Sequence, residues 1–159
     1  PAVGHRALHA VPAADGLYDC YRTRWDGLAA FEHPDRVPDL QDFHTPVAEA
    51  VDAVGVLDLL EPTDEALFVH GEGVAYLVCR LDIPTRETPP GRETVPLALV
   101  SVSDGVAAER LDCELRAVTE VLGDAVDAGF VPRAVAERYL GLFLARHPDA
   151  LEVIWLARS

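Results

Sequence analysis

The chain contains no lysine, so each of its 13 basic side chains is an arginine. It has no hydrophobic run near the ~20 residues that a membrane span needs, and no signal-peptide pattern opens it. Its three cysteines, Cys20, Cys79 and Cys113, never fall in a CxxC pair. That argues against a thiolate metal knuckle or a redox pair, and the three read as reduced core residues in a cytoplasmic protein. No GxSxG elbow surrounds Ser101 or Ser103. No helix with the required GK[ST] follows Gly71 and Gly73, so these glycines make a turn rather than a phosphate loop. There is no internal repeat, low-complexity tract or linker.

What the chain has is acid. Its 27 Asp and Glu residues against 13 Arg give a formal net charge of −14. Such a surface repels itself at ordinary ionic strength. At molar salt the Debye length falls to roughly 3 Å, which screens that repulsion, while the carboxylates keep the surface hydrated. Arginine in place of lysine agrees, because guanidinium pairs with carboxylates in a bidentate manner and is weakly hydrated. The composition is therefore that of a halophile's cytoplasm, and an acidic protein from a GC-rich genome is the alternative. The charge argues against nucleic acid and anionic membranes as partners. Half the residues are hydrophobic, and 159 residues suffice for one domain, 1–159, with its own core.

Along the chain, Asp15-Gly16 between two extended runs at 4–26 signals a two-residue hairpin. Residues 27–44 read as a loop. Thr45-Pro46 with Val47, Val51 and Val54 predicts a helix over 46–54, followed by a short turn of helix at 56–60. A second hairpin turns at Gly71-Glu72-Gly73, with its longer strand at 74–82. Residues 84–93 form a Pro-rich exposed loop. A nearly continuous apolar strand follows at 94–103, with both faces covered and pairing limited by Pro96. Asp104-Gly105 opens a long helix whose stripe is Leu111, Leu115, Val118, Leu122 and Val126, stopped at Gly129. Pro132 starts another helix, with Val135, Tyr139, Leu142 and Phe143 on one side, and 150–157 is a last strand. The order ββ-α-ββ-β-αα-β predicts an α+β fold, a mainly antiparallel sheet with helices on one face. The terminal strand is expected to return beside an early one.

The opening Gly4-His5-Arg6-Ala7-Leu8, the Asp15-Gly16 turn and the strand bearing Tyr18, Tyr21 and Trp25 resemble an uncharacterised haloarchaeal family, a domain of unknown function. Glu65-Ala66-Leu67-Phe68-Val69 is similar to a second region of it, and together the likeness covers about half of the chain. The family more often carries Ser-His where this chain has Thr23-Arg24, so a family site at that histidine does not carry over. The resemblance implies a haloarchaeal origin and a cytoplasmic location, and brings no activity.

A two-residue turn at Asp15-Gly16 fixes a register in which His9 faces Arg22, Ala7 faces Arg24 and His5 faces Asp26. One sheet face would then gather His5, His9, Arg22 and Arg24, a cationic island on an acidic chain. It would attract a small anion or an acidic protein, more strongly as the histidines protonate. The alternative is that these side chains pair with carboxylates of the loop 32–42 or face solvent. No metal or cofactor is expected: His5 and His9 would lie about 13 Å apart on a strand, and His33 and His44 with Glu32, Asp35 and Asp42 make only a weak N/O set. The last helix carries more apolar residues than one face needs, so either the fold sandwiches it or the surplus makes a homodimer or partner surface. The function expected is a binding or protein-interaction module, with a small enzyme using the same hairpin face as the alternative.

Overall fold

A computed structural model describes residues 6–23, 31, 45–87 and 95–156. They form seven strands and three α-helices, and the fold is α+β with mainly antiparallel strand pairing. Two compact units divide at Val78/Cys79.

The first unit begins with β1 (Arg6–Pro12) and β2 (Tyr18–Thr23). Their turn holds three residues rather than two. Ala13 and Leu17 close it with an N–H···O bond of 2.8 Å, and Asp15 and Gly16 both take positive φ, at 59° and 72°. Asp is one of the few side chains that tolerates this region. The extra residue moves the pairing by one, so His9 faces Tyr21, Leu8 faces Arg22 and Ala7 faces Thr23.

β3 (Ala48–Val51) pairs antiparallel with β2, and α1 (Ala53–Asp58) follows. The helix expected over 46–54 is therefore corrected to a strand and a later, shorter helix. Val47 N–H bonds Cys20 O at 2.7 Å and Ala50 N–H bonds Asp19 Oδ1 at 3.0 Å, so the edge of β2 satisfies backbone groups that a helix would have used internally. Asp52 supplies the N-cap, accepting from Gly55 N–H at 2.8 Å.

β4 (Asp64–Val69) lies parallel to β1 on its other side and antiparallel to the first part of β5 (Val74–Arg80). The order in this unit is β3-β2-β1-β4-β5. Central strands bury both faces, and Ala7, Leu8, Ala66, Leu67 and Phe68 are accordingly almost without solvent contact. The turn after β4 uses Gly71 at φ 88°, where an added Cβ would meet Pro12 Cγ at 2.7 Å.

The second unit contains β6 (Leu97–Ser101), α2 (Gly105–Asp127), α3 (Arg133–Ala145) and β7 (Glu152–Leu156). All four of Leu97, Ala98, Leu99 and Val100 are fully buried, as the continuous apolar run implies. Pairing starts after Pro96, whose carbonyl accepts Leu81 N–H at 2.9 Å. Asp104 caps α2 through Ala107 N–H at 2.8 Å. The terminal strand β7 pairs antiparallel with β6, not beside an early strand. The consecutive helices α2 and α3 bring the chain back to the strand it had left.

Candidate functional site

The four hairpin residues expected to share a face are the first test of a site. His5 and Arg24 lie outside the described residues, as do Glu32, His33, Asp35, Asp42 and His44. His9 and Arg22 are described, and the one-residue change of register sends them to opposite faces. Residues directly opposed in an antiparallel pair share a face, so His9 goes with Tyr21 and Thr23, and Arg22 goes with Leu8 and Ala10.

On its face, Arg22 meets Asp64. Its Nε and Nη2 donate to the two carboxylate oxygens at 2.9 and 3.0 Å, and Nη2 also reaches Leu59 O at 2.8 Å. Asp64 is positioned by an irregularity in β4. Arg6 is opposite Asp64 but Ala7 is opposite Ala66, so Glu65 is the extra residue of a bulge that aims Asp64 at Arg22. The second oxygen of Asp64 accepts Glu61 N–H at 2.9 Å, and Glu61 itself lies 3.8 Å from Arg22 and 3.7 Å from Arg6. Burial works against the charge of Arg22, but the hydrogen bonds to Asp64 and the nearby carboxylates outweigh it and raise its pKa. This guanidinium ties the end of β2 to the connection between α1 and β4. Its anion is Asp64, from within the fold.

On the other face, His9 is 3% exposed. Its Nδ1 lies 2.9 Å from Nε2 of His70, and its Nε2 lies 3.1 Å from Thr23 Oγ1. The two imidazole planes are within 14° of one another, so they meet edge to edge along an N–H···N line. Phe68 stacks on His9 with ring centroids 5.0 Å apart, and Phe31 tilts against Phe68. Two imidazoles on one zinc ion at 2.0–2.1 Å would point at the metal rather than at each other. Among the described residues no group of three or more His, Cys, Asp or Glu is placed to hold a metal ion. His70 was not singled out in the sequence. Its signal was its place immediately after a strand that, read as parallel to β1, brings it beside His9.

A second polar cluster lies in the second unit. Arg110 and Asp149 form a bidentate pair at 2.6 and 2.7 Å. Hydrogen bonding from Arg110 holds the Asp149 carboxyl below its ordinary pKa. Asp149 N–H donates to His147 Nδ1 at 3.1 Å, which leaves Nε2 to donate to Glu114. His147-Pro148-Asp149 is thus a turn pinned to α2, with both ring nitrogens engaged.

The outer stripe of α3 is different. Ala136, Leu140 and Leu144 form its buried face. The residues expected on one side of this helix divide: Phe143 is half-buried, whereas Val135, Tyr139 and Leu142 are 50%, 55% and 46% exposed. Arg138 and Arg146 are exposed along the same side, and among the described residues neither has an ion pair. No exposed position of α3 carries an acid. On a chain with 27 carboxylic acids this stripe is a local reversal of charge with an apolar centre.

Among the described residues no helix is long and apolar enough to cross a membrane. No family model, curated protein or solved structure matches the chain.

Proposed function

We propose that this protein is a protein-interaction module, working in the cytoplasm of a salt-accumulating organism, that docks a carboxylate-bearing apolar protein surface on the outer stripe of α3. The observation that carries this reading is the exposure of Val135, Tyr139 and Leu142 on the side that also bears Arg138 and Arg146, which among the described residues form no ion pair. An apolar centre with charged groups at its rim is the anatomy of a protein interface, and arginine is enriched there. Molar salt screens long-range attraction but leaves close guanidinium–carboxylate hydrogen bonds and apolar burial. The hairpin fits the role less well, since Arg22 is already bound by Asp64 and His9 is buried.

The test is fluorescence anisotropy in molar KCl, with a labelled synthetic amphipathic helix of Glu and Leu as the probe. The wild-type chain should bind it, and Arg138→Glu with Arg146→Glu should abolish binding while the circular dichroism spectrum is unchanged. With each protein diluted until it is monomeric, equal binding by both would refute the reading.

A further inference from the structure

The complement of the α3 stripe is present in the same chain. On α2, Glu109, Glu120 and Asp124 are exposed, and among the described residues they form no ion pair. The other charges of that helix are engaged: Arg110 with Asp149, Arg116 with Asp112, Glu114 with His147, and Asp127 with the backbone N–H of Arg86. At 100° per residue, Glu109, Glu120 and Asp124 fall on one side together with Val106 and Val121, which are 61% and 68% exposed. Arg110 shares that side but is already neutralised by Asp149, so the free charge of the outer stripe of α2 is acidic, and that of α3 is basic, each among apolar residues.

Along their axes, Arg138 and Arg146 are about 12 Å apart, and Glu109 and Glu120 about 16 Å. The flexible arms of arginine span that difference. A contact between α3 of one copy and α2 of another would set Arg138 and Arg146 against Glu109 and Glu120, with Asp124 one turn beyond Glu120. A two-fold axis would make that contact twice, in a closed and self-complementary interface.

We propose that the occupant of the α3 stripe is a second copy of this chain: a two-fold homodimer in which α3 of each protomer docks on α2 of its partner. This rests on the reading of α3 as an interaction surface and names its partner. The charge of −14 on each protomer opposes association at low ionic strength, so the dimer forms in molar KCl and dissociates as salt is withdrawn.

Analytical ultracentrifugation in molar KCl tests this with two charge-reversed proteins. The first carries Arg138→Glu and Arg146→Glu; the second carries Glu109→Arg, Glu120→Arg and Asp124→Arg. The wild type is expected to be dimeric and each variant alone monomeric, because its two contacts are then between like charges. An equimolar mixture restores a dimer, since both of its contacts are again between opposite charges. A monomeric wild type, or variants that dimerise alone, would overturn the proposal.

Cross-linking supplies a second readout that needs no charge reversal. Cys113, expected in the core with Cys20 and Cys79, is instead exposed, on the same side of α2. Val135→Cys, Tyr139→Cys and Leu142→Cys are made singly and oxidised. At least one should give a disulfide-linked dimer that disappears when Cys113→Ser is added, and failure of all three also overturns the dimer. A wild type that is monomeric yet binds the Glu/Leu peptide through Arg138 and Arg146 defeats the dimer and leaves the interaction surface standing. If the wild type is monomeric and the peptide still ignores those arginines, the surface itself is refuted.

Discussion

Arg22 grips Asp64 through two parallel hydrogen bonds on the face of the first hairpin opposite to His9. The Asp64 side chain is fully buried, whereas that of Arg22 keeps 16% of its exposure. Removing the arginine leaves a buried carboxylate that has lost its cation. Arg22→Ala should therefore cost roughly 3–5 kcal/mol, a fall in Tm on the order of 10 °C at this chain length. Thermal unfolding in molar KCl checks it. Arg6→Ala serves as the control, because among the described residues Arg6 meets Thr63 and the exposed Glu61, and a partly exposed pair contributes at most about 1 kcal/mol. Equal losses in the two variants would contradict the structural role given to Arg22.

Gly123 gives a prediction of opposite sign to helix propensity. It lies inside α2, where alanine is preferred over glycine by about 1 kcal/mol. A Cβ there would sit 2.1 Å from the carbonyl oxygen of Pro84. Backbone must move to admit it, and the segment on both sides of Pro84 is held by Arg133, which bonds Ile83 O and Thr85 Oγ1, and by Asp127, which accepts Arg86 N–H. Gly123→Ala is expected to lower the unfolding midpoint in denaturant. A stabilised variant would mean that this segment yields freely.

The thiols set the alkaline limit. Burial pushes the Cys20 thiol up to about 11, with the neighbouring Asp19 adding to it, and burial likewise raises Cys79. An unfolded thiol ionises near 8.5. Between that pH and the folded value the unfolded chain binds fewer protons than the native one, so stability falls as pH rises through this window. Cys20→Ala with Cys79→Ala should flatten the dependence of the unfolding midpoint between about pH 8.5 and 11. In the native protein at pH 8, neither cysteine should react with an aromatic disulfide reagent, as read by mass spectrometry of the labelled peptides. Labelling of both before unfolding would contradict their burial.

The elements of this fold were readable where a local rule and the tertiary context agree. α2 has its Asp104 cap, its apolar stripe and Gly129 at φ 78° just beyond its end, and it forms where the periodicity places it. The segment 46–54 is the reverse case: valine spacing suits a helix, but β2 offered an edge with partners for its backbone. The first hairpin shows how little separates a right from a wrong site. Asp-Gly signals a turn without fixing its length. One more residue in that turn kept each strand's alternation intact while exchanging the residues that join His9. The His9–His70 contact depends on a parallel pairing between strands far apart in sequence, which hairpin rules do not reach. The surplus of apolar residues on α3 was legible, but which of them face outward was not. Val135, Tyr139 and Leu142 share one side by their spacing, but the spacing does not say which side packs, and the helix buries Ala136, Leu140 and Leu144.

Salt dependence tests the reading of composition independently of any site. With 27 acids against 13 arginines, lowering KCl from molar to ~0.1 M lengthens the Debye length from roughly 3 to 10 Å. Repulsion among exposed carboxylates then reaches beyond nearest neighbours, and the compact state bears it more than the extended chain does. The Arg22–Asp64 pair is buried and screened far less, so it is not what changes. Stability should therefore fall as KCl is withdrawn, and Arg22→Ala should lower the midpoint by a similar amount at either salt concentration. Unfolding midpoints of the wild type that stay level across this range would mean that the acidic surface is not an adaptation to salt. A penalty for Arg22→Ala that shrinks steeply with added KCl would mean that its partner is reached by solvent.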